Sequence, residues 1–289
     1  MTYLTRFSVF AVFLLSACVD RPYASHELAI SANTTQCGEE VATAIKQSRR
    51  ATIAGCDWTG IDNLQAARAV QSVAVSILTT DTPIIGYKFT SVPDGAVVGT
   101  ILSGMILESG ATLSFSQAAS MLPEADMLIQ ISDAAINDAR STEDALKYID
   151  QIYPYIELSN PMTWEGAGRA QIPWTATNGS MRWGARGKAV KIDLLQQANR
   201  NRFDQMRVTL TKPNGEIFND VVLDRSLLNN LPTLLEELRA RGTRLKAGDL
   251  ISLGNYGKPI VRDVAAGTYT VTYYGLSDTP ISVSLKLIN

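Results

Sequence analysis

The first part of the chain places apolar residues at helical spacing. One segment, over 38–49, shows apolar positions three and four apart, and we predict a helix there. The same spacing recurs over 61–77, where Asp62 is the predicted N-cap and Pro83 follows the end of the pattern. The N-terminal region is therefore predicted to be helical.

Beyond residue 83 the pattern changes to short apolar or alternating runs between turn residues, which is typical of strands. The sequence Pro-Asn-Gly at 213–215 predicts a hairpin turn, and a helix over 227–241 is predicted to end at Gly242. Helices in front and mostly strands behind predict an α+β fold. The predicted strands cover 84–90, 113–115, 127–131, 152–158, 206–211, 216–223, 269–274 and 281–287.

The chain begins with the pattern of an export signal. Arg6 precedes an apolar run over 7–15 that is too short for a permanent transmembrane helix. The run ends in Leu-Ser-Ala-Cys, which resembles a bacterial lipobox. We therefore expect a signal peptide over 1–17 and lipidation of Cys18; an ordinary signal peptide with a coincidental cysteine is the alternative.

This export signal sets the expected compartment. A polar tether over 18–36 would link the lipid anchor to the folded body, and the anchor would be the protein's only contact with a membrane. Val19, rather than Asp, follows the lipidated cysteine, so we expect a periplasmic lipoprotein held at the outer membrane. In an oxidising compartment Cys37 and Cys56 are predicted to form a disulfide, with two buried thiols as the alternative.

Composition excludes several classes of function. The chain has 289 residues, of which 46% are hydrophobic, so it can bury a large core. Its 26 basic and 28 acidic residues give a net charge of −2 without a basic stripe, which argues against a nucleic-acid partner. The one histidine, His26, lies in the predicted tether. Catalytic triads and histidine-ligated zinc are therefore excluded, and carboxylate and lysine chemistry remains.

Two carboxylates stand in an apolar run that is predicted to be a strand. Glu124 and Asp126 are two residues apart, so their side chains would share one face. Burying both would be costly unless a cation relieved their repulsion. Oxygen ligands favour Mg²⁺ or Mn²⁺, and Ca²⁺ also fits. The alternative is a solvated strand end after Pro123, where the carboxylates need no partner.

Several short motifs occur in an order that resembles the fumarylacetoacetate hydrolase superfamily, in particular its 2-keto-4-pentenoate hydratase branch. The resemblance spans about 60–289, and it depends on the order of the motifs more than on any one of them. The motifs are Gly86-Tyr87-Lys88, Glu124-Ala125-Asp126, Glu157, Ala176-Thr177-Asn178 with Gly184, Leu245 to Asp249, and Gly254-Asn255-Tyr256.

The resemblance implies a particular fold. It is a mixed, β-sandwich-like roll of the fumarylacetoacetase C-terminal type with flanking helices. The chain would divide into an N-terminal helical segment over 37–82 and a catalytic domain over 83–289. The family also suggests a homo-oligomer.

The same resemblance implies roles for individual residues. Glu124, Asp126 and Glu157 would hold the divalent cation, and Lys88 would assist proton transfer or anion binding in the pocket. A lysine that extends from a strand to solvent is the alternative for Lys88. The residues implied to line the substrate pocket are Asn178, Gly254 and Tyr256; turn chemistry is the alternative for these motifs.

The implied activity is that of a hydratase-like lyase on a small 2-keto or 2-hydroxydienoic acid, acting through a metal-stabilised enolate. C–C hydrolysis and decarboxylation use the same enolate. The hydratase branch commonly has an acidic segment where this chain has Val97-Val98-Gly99. The second hypothesis is therefore a catalytically degenerate lipoprotein of the same fold, serving as a small-acid binding or structural module.

Overall fold

The computed structural model describes residues 31–223 and 226–289. The predicted signal peptide, Cys18 and His26 lie outside these residues. Within the described ranges no helix is long and apolar enough to cross a membrane. The helices are α1 (Ala32–Lys46), α2 (Leu64–Leu78), α3 (Thr142–Leu146), α4 (Gln171–Ala176), α5 (Gln197–Asp204) and α6 (Leu231–Ala240).

The strands account for most of the remaining regular structure. Eight of the thirteen described strands match predicted segments; the other five, at 95–102, 106–108, 183–186, 190–191 and 250–252, were not predicted. They are β1 (Ile84–Val92), β2 (Gly95–Leu102), β3 (Ile106–Glu108), β4 (Ala111–Ser114), β5 (Leu122–Ile131), β6 (Ile149–Ser159), β7 (Trp183–Arg186), β8 (Val190–Lys191), β9 (Arg207–Thr211), β10 (Ile217–Val222), β11 (Leu250–Ser252), β12 (Gly267–Tyr274) and β13 (Ile281–Ile288).

In the described part of the chain the strands form two sheets. The first has the order β2-β1-β11-β5-β6-β7-β3, with β8 paired to β6, and the second has the order β10-β9-β12-β13-β4. Both sheets mix parallel and antiparallel pairs; β1 pairs with β11, and β13 with β4, in parallel. Apolar residues of both sheets, such as Ile156 and Val271, form one buried cluster between them. The predicted α+β fold with packed mixed sheets is confirmed.

The N-terminal helices pack on the other face of the first sheet. Val70 and Ala74 of α2 share a buried cluster with Leu128 of β5, Tyr155 of β6 and Leu250 of β11. This face is therefore covered by helices, whereas the opposite face is covered by the second sheet. The helical segment closes over the first sheet instead of standing apart from it.

Helix boundaries differ from the predicted ones where a small polar residue supplies the cap. The first helix begins at Ala32, because the side chain of Ser31 accepts a hydrogen bond from the first turn. Residues 32–36, predicted as tether, are therefore helical. In the second helix Asn63, rather than the predicted Asp62, is the N-cap. Asparagine and aspartate are equally good N-caps, so residue type alone did not decide between Asn63 and Asp62.

A disulfide joins Cys37 of α1 to Cys56 in the loop that follows, as predicted for this pair. The two sulfur-bearing residues are 19 positions apart in sequence, and both are buried. The bond therefore ties the first helix to the loop that leads into α2. The predicted hairpin is also confirmed, since β9 and β10 pair antiparallel around Gly215. Gly215 has a φ of 85°, a backbone conformation that favours glycine.

A buried cluster of carboxylates and lysine as candidate active site

Three of the predicted ligands lie on one face of the first sheet. In the antiparallel pair β5–β6, Glu124 stands directly opposite Glu157, and Asp126 stands opposite Tyr155. Residues opposite each other, or two apart on a strand, project to the same side. The helix-covered face therefore carries Glu124, Asp126 and Glu157 together. The strand also extends back to Leu122, so these carboxylates are inside it, and the solvated strand end is excluded.

The lysine predicted from the Gly-Tyr-Lys motif reaches the same cluster from β1. Lys88 is in register with Ser252 of β11, and Ser252 is in register with Leu128 of β5. The ammonium group of Lys88 forms an ion pair with Glu157. Their side chains are 4% and 1% exposed, so Lys88 does not extend to solvent and that alternative is wrong.

Hydrogen bonds hold the other two carboxylates. The hydroxyl of Ser159 donates to Oε1 of Glu124, and the amide of Asn255 donates to its Oε2 at 2.9 Å. For Asp126, the hydroxyl of Ser252 donates to Oδ2 at 2.6 Å. The backbone N–H of Met127 donates to the other oxygen at 2.5 Å. Neutral hydrogen-bond donors thus orient Glu124 and Asp126. A bound cation can take the place of these donors as the electropositive partner of each carboxylate.

Burial and mutual repulsion disfavour the charged forms of these acids. Burial, followed by the charge of Glu157, raises the pKa of Glu124 to about 7. The same two causes raise the pKa of Asp126 well above its ordinary value. Burial alone would lower the pKa of Lys88, but the charges of Glu157 and Glu124 outweigh it and raise that pKa. Lys88 therefore pairs with Glu157, while burial and the charge of Glu157 favour the protonated forms of Glu124 and Asp126.

The chemistry of this donor set suits a hard divalent cation, because three carboxylates and neighbouring hydroxyls offer only oxygen. The side-chain placement is less favourable. With their side chains in these positions, the described residues contain no group of three histidine, cysteine, aspartate or glutamate side chains that could hold a metal ion. Glu157 instead faces the ammonium of Lys88, while serine and asparagine donors hold Glu124 and Asp126. The backbone register nevertheless places all three carboxylates on one face of the β5–β6 pair.

Asn178, predicted to line a substrate pocket, serves the fold instead. Its side-chain oxygen accepts hydrogen bonds from Gln71 of α2 at 3.0 Å and from the backbone N–H of Thr100 at 2.7 Å. Its amide nitrogen donates to the carbonyl of Thr100 at 2.9 Å. The residue is fully buried, and its φ is 58°. Its polar atoms are engaged between α2 and β2, so the structure gives Asn178 a structural role.

The Gly-Asn-Tyr motif reaches the cluster through its middle residue. Gly254 adopts a φ of 109°, which turns the chain after β11 and brings Asn255 to Glu124. Tyr256 forms a bridge with Ala125, so its side chain points to the opposite face, where its ring meets that of Tyr273 edge-on. The structure therefore places the ring of Tyr256 in the core between the sheets, on the face opposite to the carboxylates.

Sequence reasoning missed three residues of this site, Ser159, Ser252 and Tyr155, and named Asn255 only as part of its motif. Ser159, Ser252 and Asn255 orient the carboxylates, and Tyr155 stands beside Glu157 on the same face. Small polar residues near strand ends are common in turns, so nothing in their type marked the first three. The one available signal was the alternation along β6, which places Tyr155 on the face of Glu157.

The fold and this site can be compared with known proteins. No protein-family model matches the chain, and no curated protein matches it. Solved structures do match, and they confirm the predicted fold of the fumarylacetoacetate hydrolase type. One is 4-oxalocrotonate decarboxylase from Pseudomonas putida G7 complexed with magnesium and adipate, with a TM-score of 0.74 and 20% identity. The match covers 88% of this chain and 97% of that chain.

A second structure of the same decarboxylase, complexed with calcium and acetate, matches with a TM-score of 0.72 and 19% identity, over 89% of this chain and 97% of that one. A candidate fumarylacetoacetate hydrolase family protein from Yersinia pestis CO92 matches at 14% identity with a TM-score of 0.48, over 72% and 94% of the two chains, and no conclusion rests on it. The TM-scores of the two decarboxylase structures establish a shared fold. Because the sequence identity is low, the activity has to be argued from the site.

Proposed function

We propose that this protein is a metal-dependent lyase that acts on a small 2-keto or 2-hydroxydienoic acid. The observation that carries the proposal is the buried cluster, in which Glu124, Asp126 and Glu157 share one face of the sheet and Lys88 pairs with Glu157. Such a concentration of buried acids is characteristic of functional sites. The decarboxylase of the same fold was solved with magnesium and with calcium, together with small carboxylic acids, which supports the same class of ligands here.

In this proposal Glu124, Asp126 and Glu157 hold Mg²⁺ or Mn²⁺, and Ca²⁺ is also suitable. When bound, the cation supplies positive charge that binds the substrate's carboxylate and 2-keto oxygens and favours the enolate. Ser159, Ser252 and Asn255 orient the carboxylates. The helices that cover this face of the sheet keep bulk water away from the carboxylates, which strengthens every charge interaction in the site.

Lys88 is the residue available to move a proton. The charges of Glu157 and Glu124 raise its pKa, so beside these carboxylates it is an ammonium group that can donate a proton or bind an anion. Hydration and C–C hydrolysis both require a base to activate water. Decarboxylation requires less, because the electron pair of the broken C–C bond enters the enolate and one proton then returns to carbon. We include hydration, as implied by the resemblance, and decarboxylation within the proposed lyase activity.

Calorimetry of Mg²⁺ and Mn²⁺ binding, with and without oxalate, tests this proposal. Oxalate mimics the carboxylate and keto oxygens of the substrate. We expect saturable cation binding that oxalate tightens and that Glu157→Gln abolishes. Glu143→Gln is the matched control, because Glu143 is exposed and pairs with Arg200 on the surface. If the wild-type protein binds neither cation, the enzymatic proposal fails.

A second candidate function is a non-catalytic module that binds a small acid or serves as a structural unit. The structural unit is favoured by the closed state of the cluster, since Glu124 is 9% exposed and Glu157 is 1% exposed. A substrate needs more access than this side-chain arrangement offers. The calorimetric experiment separates the two functions, because a structural unit needs no affinity for a cation.

We also propose that the protein is exported and lipidated at Cys18, and that it is anchored at the outer membrane. The Leu-Ser-Ala-Cys sequence after a short apolar run supports this localisation. Fractionation of cells that express wild type and Cys18→Ala tests it. We expect the wild type in the outer-membrane fraction and the variant away from it; equal distributions would contradict the proposal.

A further inference from the structure

Tyr155 is a fully buried tyrosine whose hydroxyl has no hydrogen-bond partner among the described residues. It stands opposite Asp126 and two residues before Glu157, so its side chain shares the face of the carboxylates. A buried hydroxyl without a partner is costly, and native structures leave few of them. Such a group calls for a partner that this structure does not contain.

Gly184 defines where the hydroxyl lies. A Cβ atom at Gly184 would stand 2.0 Å from Oη of Tyr155, so only glycine leaves room for the phenol. Gly184 is in register with Glu157 across β6 and β7. The hydroxyl of Tyr155 therefore lies next to Glu157, on the side of β7. Lys88 also contacts Glu157, through an ion pair within the cluster.

We propose that the hydroxyl of Tyr155 donates a hydrogen bond to the small acid bound at the carboxylate cluster, and that it helps determine which acids are accepted. This inference rests on the proposed function, and it names the residue that adds a neutral donor to the site. A neutral donor next to Glu157 favours a ligand oxygen without adding charge. The class of ligand is a carboxylic acid with a second oxygen near the first, such as a 2-keto acid.

A purely space-filling role does not account for this tyrosine. Phenylalanine would fill the same volume among the neighbouring apolar residues without burying an unpaired hydroxyl. Gly184 makes room for the phenol oxygen and for the ring carbons Cζ and Cε2, so it fixes where the hydroxyl lies. The unpaired hydroxyl is explained by a ligand that accepts its proton in a hydrogen bond.

The test compares Tyr155→Phe with Tyr256→Phe in the full-length purified protein. Tyr256 is a matched control, because it is also buried with an unpartnered hydroxyl but lies on the opposite face of the sheet. Three quantities are measured for each protein: the melting temperature without ligand, the affinity for Mg²⁺ alone, and the oxalate affinity in saturating Mg²⁺. We expect both variants to melt at or above the wild-type temperature, because each loses an unsatisfied buried group.

Oxalate affinity then decides the role of Tyr155. We expect Tyr155→Phe to weaken oxalate on the order of tenfold, with the affinity for Mg²⁺ alone unchanged and Tyr256→Phe equal to wild type. Equal oxalate affinity in all three proteins would overturn the inference and leave the proposed function intact. Equal weakening in both variants, or a lowered melting temperature for Tyr155→Phe alone, would also overturn it. A wild type that binds neither cation nor oxalate would refute the proposed function and this inference together.

Discussion

The pH dependence of stability provides a direct test of the buried cluster. In the folded protein the pKa of Glu124 is about 7, compared with an ordinary value of 4.5. Between pH 4.5 and about 7, Glu124 therefore keeps a proton in the folded protein that it has already released in the unfolded chain. Stability from this proton is fully present below about pH 4.5 and is lost as the pH rises through about 7. We expect the free energy of unfolding to fall across this range.

The magnitude follows from the same pKa difference. Each tenfold change in proton affinity corresponds to about 1.4 kcal/mol, so Glu124 alone accounts for about 3 kcal/mol between pH 4.5 and 8. Asp126 adds in the same direction, because its pKa is also raised. Surface acids with lowered pKa values, such as Asp144 and Asp220, act in the opposite sense. Their stabilising contribution is lost only as the pH falls below about 4, so it does not obscure this range.

Urea unfolding at several pH values between 4.5 and 8 measures the effect, with and without Mg²⁺. Glu124→Gln keeps the shape of the side chain and removes its titration, so we expect a much shallower slope in this variant. A cation that binds the ionised carboxylates should restore stability at pH 8 and have less effect at pH 5. The reasoning is refuted if the wild type is equally stable across the range, or if Glu124→Gln keeps the full slope.

Three further predictions test other parts of the structure. Lys88→Met should cost roughly 3–5 kcal/mol at pH 8, because it leaves buried carboxylates unpaired, and urea unfolding should show a smaller loss at pH 5. Asn178→Ala should cost about 2 kcal/mol or more, because it leaves the backbone of Thr100 unpaired, while the oxalate affinity of the folded protein stays unchanged. Reducing the bond between Cys37 and Cys56 should lower the free energy of unfolding by about 3 kcal/mol; no change on reduction would contradict its stabilising role.

The charged part of the site was predictable because charge is conspicuous in an apolar strand. Glu124, Asp126 and Glu157 each interrupt a hydrophobic run, and the two-residue spacing of the first pair defines a common face. Lys88 was identified instead from the motif Gly86-Tyr87-Lys88, through the family resemblance. What the spacing could not show is the strand order, in which β11 lies between β1 and β5 and sets the distance from Lys88 to the carboxylates.

The pocket residues were harder to predict, since their roles depend on which way a side chain points at a turn. The motif Gly254-Asn255-Tyr256 was assigned to the pocket, but one position of register decides which of its side chains faces Glu124. Asn178 was assigned to the same pocket, and its left-handed backbone turns its amide towards Thr100 instead. Neither orientation is encoded in residue type, because asparagine is equally suited to turns and to ligand contacts.

The arrangement of this cluster favours a functional over a structural explanation. Glu124 and Glu157 are placed directly opposite each other, a like-charge pairing that destabilises a sheet. Lys88 compensates one of them, yet a buried ion pair is often no more stable than hydrophobic residues of the same volume. A core that needed only to be packed would therefore gain by replacing the whole cluster with apolar side chains. The cost of keeping these charges buried is explained if a cation and a small acid complete the site, and Tyr155 then acquires the partner that its hydroxyl lacks.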